Sequence, residues 1–259
     1  MEKDRYLLSS LDSALSLVEL LSHHEALTLA EITKLTDYDK SSIFRMLYTL
    51  CKNQLVEKTE DGYYRLGLKF LYYSSKVQSY LDIVSASRPY MCELGKRLNT
   101  PIHMGRLSGN RIITIHIEDH VSGPHVTGRV GMNAAAHTTA MGRVLLAHLS
   151  DAELAALADT LTFKRYSERS VTNMRELRLI LREVRENGYG LDMDDRYQGF
   201  GALAVPVFDH DGVCTTSISV VTVSQVIRER KGEYVAALKD TAVRISACLS
   251  GRPVPPAQV

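Results

Sequence analysis

A chain of 259 residues with 45% hydrophobic and 24% charged residues has an ordinary globular composition and room for two domains, which excludes disordered and fibrous classes. The formal net charge is +1, and the first 65 residues carry eight positive charges against eleven carboxylates, a balance of −3. Any nucleic-acid site is therefore built locally, and non-specific binding to DNA is expected to be weak.

A first helix is expected from near Ser10, its N-cap, with Leu11, Ala14, Leu15, Val18 and Leu21 on one buried stripe. A second opens at Thr28, where Thr28 and Glu31 form a capping box, carries Leu29, Ile32 and Leu35 inward and ends near Asp37. Asp39 then caps a third helix, Lys40 to Lys52, whose Ile43, Met46, Leu47 and Leu50 recur at i, i+3, i+4 and i+7. Its other side, with Lys40, Ser41, Ser42, Arg45, Tyr48, Thr49 and Lys52, is basic, rich in hydroxyls and free of carboxylates. Such a face suits DNA, with Arg45 placed to bond guanine O6 and N7 and with Lys40, Ser41 and Ser42 at a helix N-terminus that favours phosphate. Two short helices this tightly linked form a helix-turn-helix.

Leu55 to Lys58 and Tyr63 to Leu66 flank Asp61-Gly62, a two-residue hairpin signal, and this wing would bring Tyr63 and Arg65 to phosphates. Residues 68–81 read as a connecting helix, and Asp82 to Leu98 as another helix with an offset near Ser87 and Arg88 caused by Pro89. The domain boundary falls near residue 80. Strands follow at Ile102 to Leu107, Arg111 to Ile117 and Val126 to Val130. Helices are expected at Ala140 to Leu149, Asp151 to Leu161 and Asn173 to Asn187, the last with Gly188 as C-cap. Strands Ala202 to Phe208 and Val213 to Val223 precede a final helix from about Glu233 to Leu249, and RPVPPAQV reads as a frayed tail. The class is mixed α+β, a sheet with helices packed on it.

Alternation along Val213 to Val223 puts Thr215, Ser217, Ser219 and Val221 on one face, where small hydroxyls leave room for a ligand. His116, Glu118 and His120 share one side at period two, but no cysteine or close fourth ligand accompanies them, so they read as a solvated or interface face, not a metal site. The elbows, loops and paired motifs of common enzymes are absent, and no enzyme activity, cofactor or metal is expected. Cys51, Cys92, Cys214 and Cys248 form no CxxC pair and read as free thiols. MEKDRYLLSS does not read as a secretory signal, and no run reaches the ~20 apolar residues of a membrane span. A cytoplasmic protein without a membrane partner is expected.

The chain resembles the IclR family of bacterial transcription regulators. The likeness runs through Lys40-Ser41-Ser42-x-x-Arg45-x-Leu47-x-x-Leu50, Gly62-x-Tyr64-x-Leu66-Gly67, His137-Thr138-Thr139-Ala140-x-Gly142-Arg143, Gly188-Tyr189-Gly190-x-Asp192 and Ala204-Val205-Pro206-Val207-Phe208-Asp209, in order and over nearly the whole chain. It implies a winged helix-turn-helix over residues 1–67, a linker helix over 68–81, a GAF-like antiparallel-sheet effector domain over 82–252 and a tail over 253–259. It further implies a homodimer or dimer of dimers on double-stranded operator DNA, and a small-molecule effector, an organic acid or related metabolite, at Ala140, Met141, Asp192, Ala202, Ser219 and Val221. Ala202 stands where the family usually has cysteine and Val221 where a second serine is common, so an effector less polar than a very small keto acid is expected. Repression of catabolic genes is the expected role. Activation by the same architecture, or a sensor or metal-dependent enzyme using the helix-turn-helix for protein contact, are the alternatives.

Overall fold

The computed structural model describes residues 6–79, 82–122 and 125–251, so the tail and the end of the linker lie outside the described residues. The chain divides into two compact units, residues 1–80 and 81–259.

The first unit begins with α1 (Ser9–Ser22), whose N-cap is Leu8 with no side-chain cap, not Ser10. Its buried residues are Leu17 and Leu21, whereas Leu11 and Leu15 are each 55% exposed. Leucines surround this helix, so the period alone did not select the inward face. A two-residue strand β1 (Leu27–Thr28) leads into α2 (Leu29–Leu35), closed by the Thr28–Glu31 capping box. Leu35, read as inward, is exposed. The third helix, α3 (Lys40–Lys52), has the expected limits and buries Ile43, Leu47 and Leu50. These join Leu17, Leu21, Leu27, Ile32, Val56 and Tyr64 in one core.

The wing is β2 (Val56–Lys58) and β3 (Tyr63–Leu66), with β1 pairing on the outer side of β3. Its turn is longer than two residues: Gly62 N–H donates to Thr59 O, Thr59 N–H to Tyr63 O, and only Gly62 has positive φ. Beyond it, α4 (Lys69–Ser79) buries none of its described side chains.

The second unit opens with α5 (Asp82–Leu98), which runs through Pro89 without the expected offset. Met91, Leu94 and Leu98 anchor it in a core whose burial outweighs one lost backbone bond. The sheet comprises β4 (Ile102–Ser108), β5 (Arg111–Glu118), β6 (Asn133–Ala135), β7 (Gly190–Met193), β8 (Phe200–Phe208) and β9 (Cys214–Val223). All neighbours are antiparallel in the order β6-β5-β4-β9-β8-β7. Residues 126–130 form no strand; they run as a loop before β6.

The helices α6 (Ala140–Ala147), α7 (Asp151–Ala158) and α8 (Met174–Asn187) follow β6, and α8 ends at left-handed Gly188. The last helix, α9 (Ser224–Leu249), starts earlier than expected and contains a non-helical residue, Arg230. On one face of the sheet, α5 and α9 cover Ile102, Leu203, Val205, Ile218 and Val220. On the other, α6 covers Ala202 and Ala204, and α8 packs on α6.

The 3-10 turn Ala136–Thr138 folds back tightly on α6. A Cβ on Gly142 would lie 2.1 Å from the Ala136 carbonyl oxygen and 2.6 Å from its carbonyl carbon, both backbone atoms. Gly142→Ala is therefore expected to destabilise this unit by about 1–3 kcal/mol, as overpacking does. Urea denaturation checks it, and an unchanged midpoint would refute the close approach.

Candidate functional site

The exposed side of α3 presents Lys40, Ser41, Phe44, Arg45, Tyr48, Thr49 and Lys52. Phe44, 51% exposed, was placed on neither face by the sequence; its place one turn from Tyr48 was the signal. The N-terminus of α3 is already occupied. Asp39 Oδ1 accepts from the amides of Ser41 and Ser42, each at 3.0 Å, and Oδ2 accepts from the Ser42 hydroxyl at 2.6 Å. The hydrogen bonds from Ser42, hydroxyl and amide, hold the Asp39 carboxyl below its usual range. These amides and the Ser42 hydroxyl are therefore committed to the cap. Thr49 donates its hydroxyl to Arg45 O at 2.9 Å, while the Arg45 side chain forms no ion pair among the described residues. On the wing, Tyr63 is exposed and Tyr64 buried. Arg65 Nε donates to Glu57 Oε2 at 3.1 Å, a surface pair that phosphate could replace at small cost.

The second unit contains a cavity of about 300 Å³ between α6 and the sheet. Ala140, Met141, Asp192, Ala202, Ser219 and Val221 all line it. Ser217 does not: its hydroxyl donates to Val205 O at 2.8 Å across the strand pair. A register shift near Cys214 also breaks the simple alternation, so Cys214 packs with the α6-side core. The loop read as a strand supplies Val126, Thr127 and Gly128 to the cavity wall.

Sequence reasoning missed His103, Thr114, Asn133, Thr139 and Arg196, which also line the cavity. His103 sits on β4 directly opposite Ser219 of β9, a juxtaposition set by strand order and invisible in local periodicity. Among the described residues, Ser219 Oγ, His103 Nε2 and Arg196 Nε are buried without a hydrogen-bond partner. Buried polar groups normally have partners, so these three leave unmet hydrogen-bonding capacity in the cavity wall.

Burial pushes the His103 imidazole down to about 4, so it is neutral at physiological pH. Burial, reinforced by the negative charge of Asp195, pushes the Asp192 carboxyl up to about 7. Asp192 can therefore offer a proton or accept one near neutrality. Next to the cavity, Arg143 bonds Asp195, donates from Nε to His137 O at 2.9 Å and from Nη1 to Leu191 O at 2.6 Å. Asp194 accepts from Ser224 Oγ at 2.6 Å and Arg228 Nη2 at 2.9 Å. The Asp194-Asp195 pair thus shapes the loop behind the cavity. Thr139 caps α6 by accepting from Gly142 N–H at 3.0 Å, which fixes the helix end that meets the ligand space.

Two family profiles match. The profile described as bacterial transcriptional regulator IclR C-terminal covers residues 75–247, and the IclR helix-turn-helix domain covers residues 10–60. The regulator KdgR of Escherichia coli is 29% identical over 249 residues, 95% of each chain. A crystal structure of an IclR transcriptional regulator from Alicyclobacillus acidocaldarius superposes with a TM-score of 0.77 at 26% identity, over 95% of this chain and all of that one. An IclR homologue from Microbacterium hydrocarbonoxydans, solved with 4-hydroxybenzoate, has a similar fold: TM-score 0.72 at 21% identity, over 92% of this chain and 99% of that one.

Proposed function

Because this chain belongs to the IclR family of bacterial transcriptional regulators, with its DNA-binding and effector-binding domains both present, we propose that it is a repressor. It would hold operator DNA with α3 and release it when a small organic acid enters the α6 cavity. Occupancy of a promoter is enough to block transcription, whereas activation needs a further contact with the polymerase.

The observation that carries the effector reading is the cavity itself: apolar walls from Ile112, Met141 and Val221 around the unpartnered Ser219, His103 and Arg196 atoms. An apolar body with one or two polar ends fits this lining, Arg196 facing an acid group. The 4-hydroxybenzoate bound by the Microbacterium relative is a molecule of that kind. The named relatives are regulators, and the cavity serves as a sensor and not as a catalytic centre. The DNA contacts are assigned to Lys40, Arg45, Phe44, Tyr48 and Lys52 on α3, with Tyr63 and Arg65 on the wing. A homodimer on a palindromic operator is supported by the exposed apolar run Tyr6, Leu7, Leu8, Leu11 and Leu15, a surface that monomers seldom leave uncovered.

The test is a thermal-shift screen of the full-length protein with organic and aromatic acids. A true effector raises the melting temperature by mass action. Ser219→Ala has a two-part expected outcome. Without ligand the variant is at least as stable as wild type, because an unpaired buried hydroxyl costing about 1–3 kcal/mol is gone. With ligand, the stabilising shift is lost. A variant that retains the full shift would remove Ser219 from the effector site.

A further inference from the structure

One cluster of ionisable side chains lies outside both the cavity and the reading helix, at the end of β5. Glu118, expected on a solvated or interface face, is only 4% exposed. Its Oε1 lies 2.8 Å from His116 Nε2 and accepts from Arg88 Nε at 3.1 Å, while its Oε2 lies 2.9 Å from His120 Nε2. Burial alone would raise the Glu118 pKa, but bonds from His116, His120 and Arg88 hold it below the usual carboxylate range. The half-buried Cys92 comes from α5. One donor atom each from Cys92, Glu118 and His120 lies within 4.8 Å of the others. The sulfur ligand that HIEDH lacks in sequence is thus delivered by a separate helix.

We propose that Cys92, Glu118 and His120 bind a divalent transition-metal ion of the zinc class, with His116 as the outer partner that orients the Glu118 carboxylate. A thiolate, an imidazole and a carboxylate suit a borderline-soft ion; calcium and magnesium take oxygen donors. Zinc bonds of about 2.0–2.3 Å set donors roughly 3.3–3.8 Å apart, so modest side-chain shifts bring these three atoms onto an ion. The His120 side chain is 34% exposed, which opens the site to solvent and leaves a fourth position to water. His116 holds the second carboxylate oxygen, the usual arrangement behind a ligating group. None of these residues lines the effector cavity. Bound metal would clasp α5 to the end of β5. Among the described residues a second convergence of donors, Asp209, His210 and Asp211, is a run of neighbours on a turn with two of the three exposed, and serves as the control.

The experiment uses full-length protein stripped with a chelator and titrated with cobalt, then zinc. Visible ligand-field absorption and a near-ultraviolet thiolate-to-cobalt band should saturate at one ion per chain and be bleached by zinc. Cys92→Ser should abolish the thiolate band and weaken zinc binding at least about tenfold. His116→Ala should keep the band and weaken binding by roughly 10–100-fold, and His210→Ala should change neither. Zinc should also slow alkylation of Cys92 in the unaltered protein, read by peptide mass spectrometry, which tests the site without any variant. No thiolate band in wild type, a band that survives in folded Cys92→Ser, or equal alkylation of Cys92 with and without zinc would each overturn the proposal.

Discussion

Arg143→Ala is expected to cost the second unit about 3–5 kcal/mol, the loss found when one member of a buried ion pair is removed. Arg143 is 4% exposed and Asp195 is 7% exposed. The guanidinium also satisfies the carbonyls of His137 and Leu191, so its removal strands a carboxylate and two backbone acceptors together. Burial raises the Asp195 pKa and Arg143 opposes that rise, so the variant would hold Asp195 protonated at higher pH. Asp192 loses two opposing influences together, the lowering by Arg143 and the raising by ionised Asp195, so the shift in the variant belongs to Asp195. The sign for the wild type is fixed by Asp192: its folded pKa, about 7, lies above the unfolded value. Its contribution is therefore fully present at low pH and declines as pH rises from about 4 through neutrality. In Arg143→Ala the corresponding decline from Asp195 should extend to higher pH. Denaturant unfolding below and above neutral pH reads both effects, and an unchanged midpoint would show that the buried pair does not hold the loop.

Arg45→Ala should weaken operator binding roughly tenfold to a hundredfold for each reading helix, the worth of one good bidentate base contact. A dimer loses two such contacts. The fold should survive, because Arg45 is exposed and the core contributions of α3 come from Ile43, Leu47 and Leu50. The contrast is Lys40→Ala or Lys52→Ala, which should lower affinity for every DNA sequence alike and reduce the salt dependence by about one counterion each. Fluorescence anisotropy over a salt series separates the two classes. Equal loss on operator and unrelated DNA for Arg45→Ala would move that residue from base to phosphate.

The reading helix was legible because everything that specifies it is local: Asp39 at the cap, a 3.6-residue apolar period and a polar face. The Thr28–Glu31 capping box and the Gly188 terminus were legible for the same reason. Failures came where tertiary context decides. Leu11 and Leu15 fit a stripe as well as Leu17 does, and only packing chose between them. Residues 126–130 carry valines at strand spacing but find no partner strand, so they become a cavity wall. Pro89 was overruled by the core around α5. The cavity was half legible: alternation found Ser219 and Val221, whereas His103 depends on β4 lying beside β9. Outside the cavity, the approach of Cys92 to Glu118 and His120 depends in the same way on α5 packing on β5. Ser217 shows the limit of alternation, since facing the right side of a strand does not make a hydroxyl available.

The acidic balance of the first 65 residues disfavours general attraction to DNA, so the proposed function rests on specific reading by the two α3 helices of the proposed dimer. DNase I footprinting of the promoter DNA flanking the gene tests this most directly, with wild-type and Arg45→Ala protein side by side. The account predicts one protected palindrome whose half-sites are separated by about 10–10.5 base pairs or a multiple of it, absent with Arg45→Ala at equal concentration. Protection that lacks two-fold symmetry, or that persists unchanged in the variant, would contradict it.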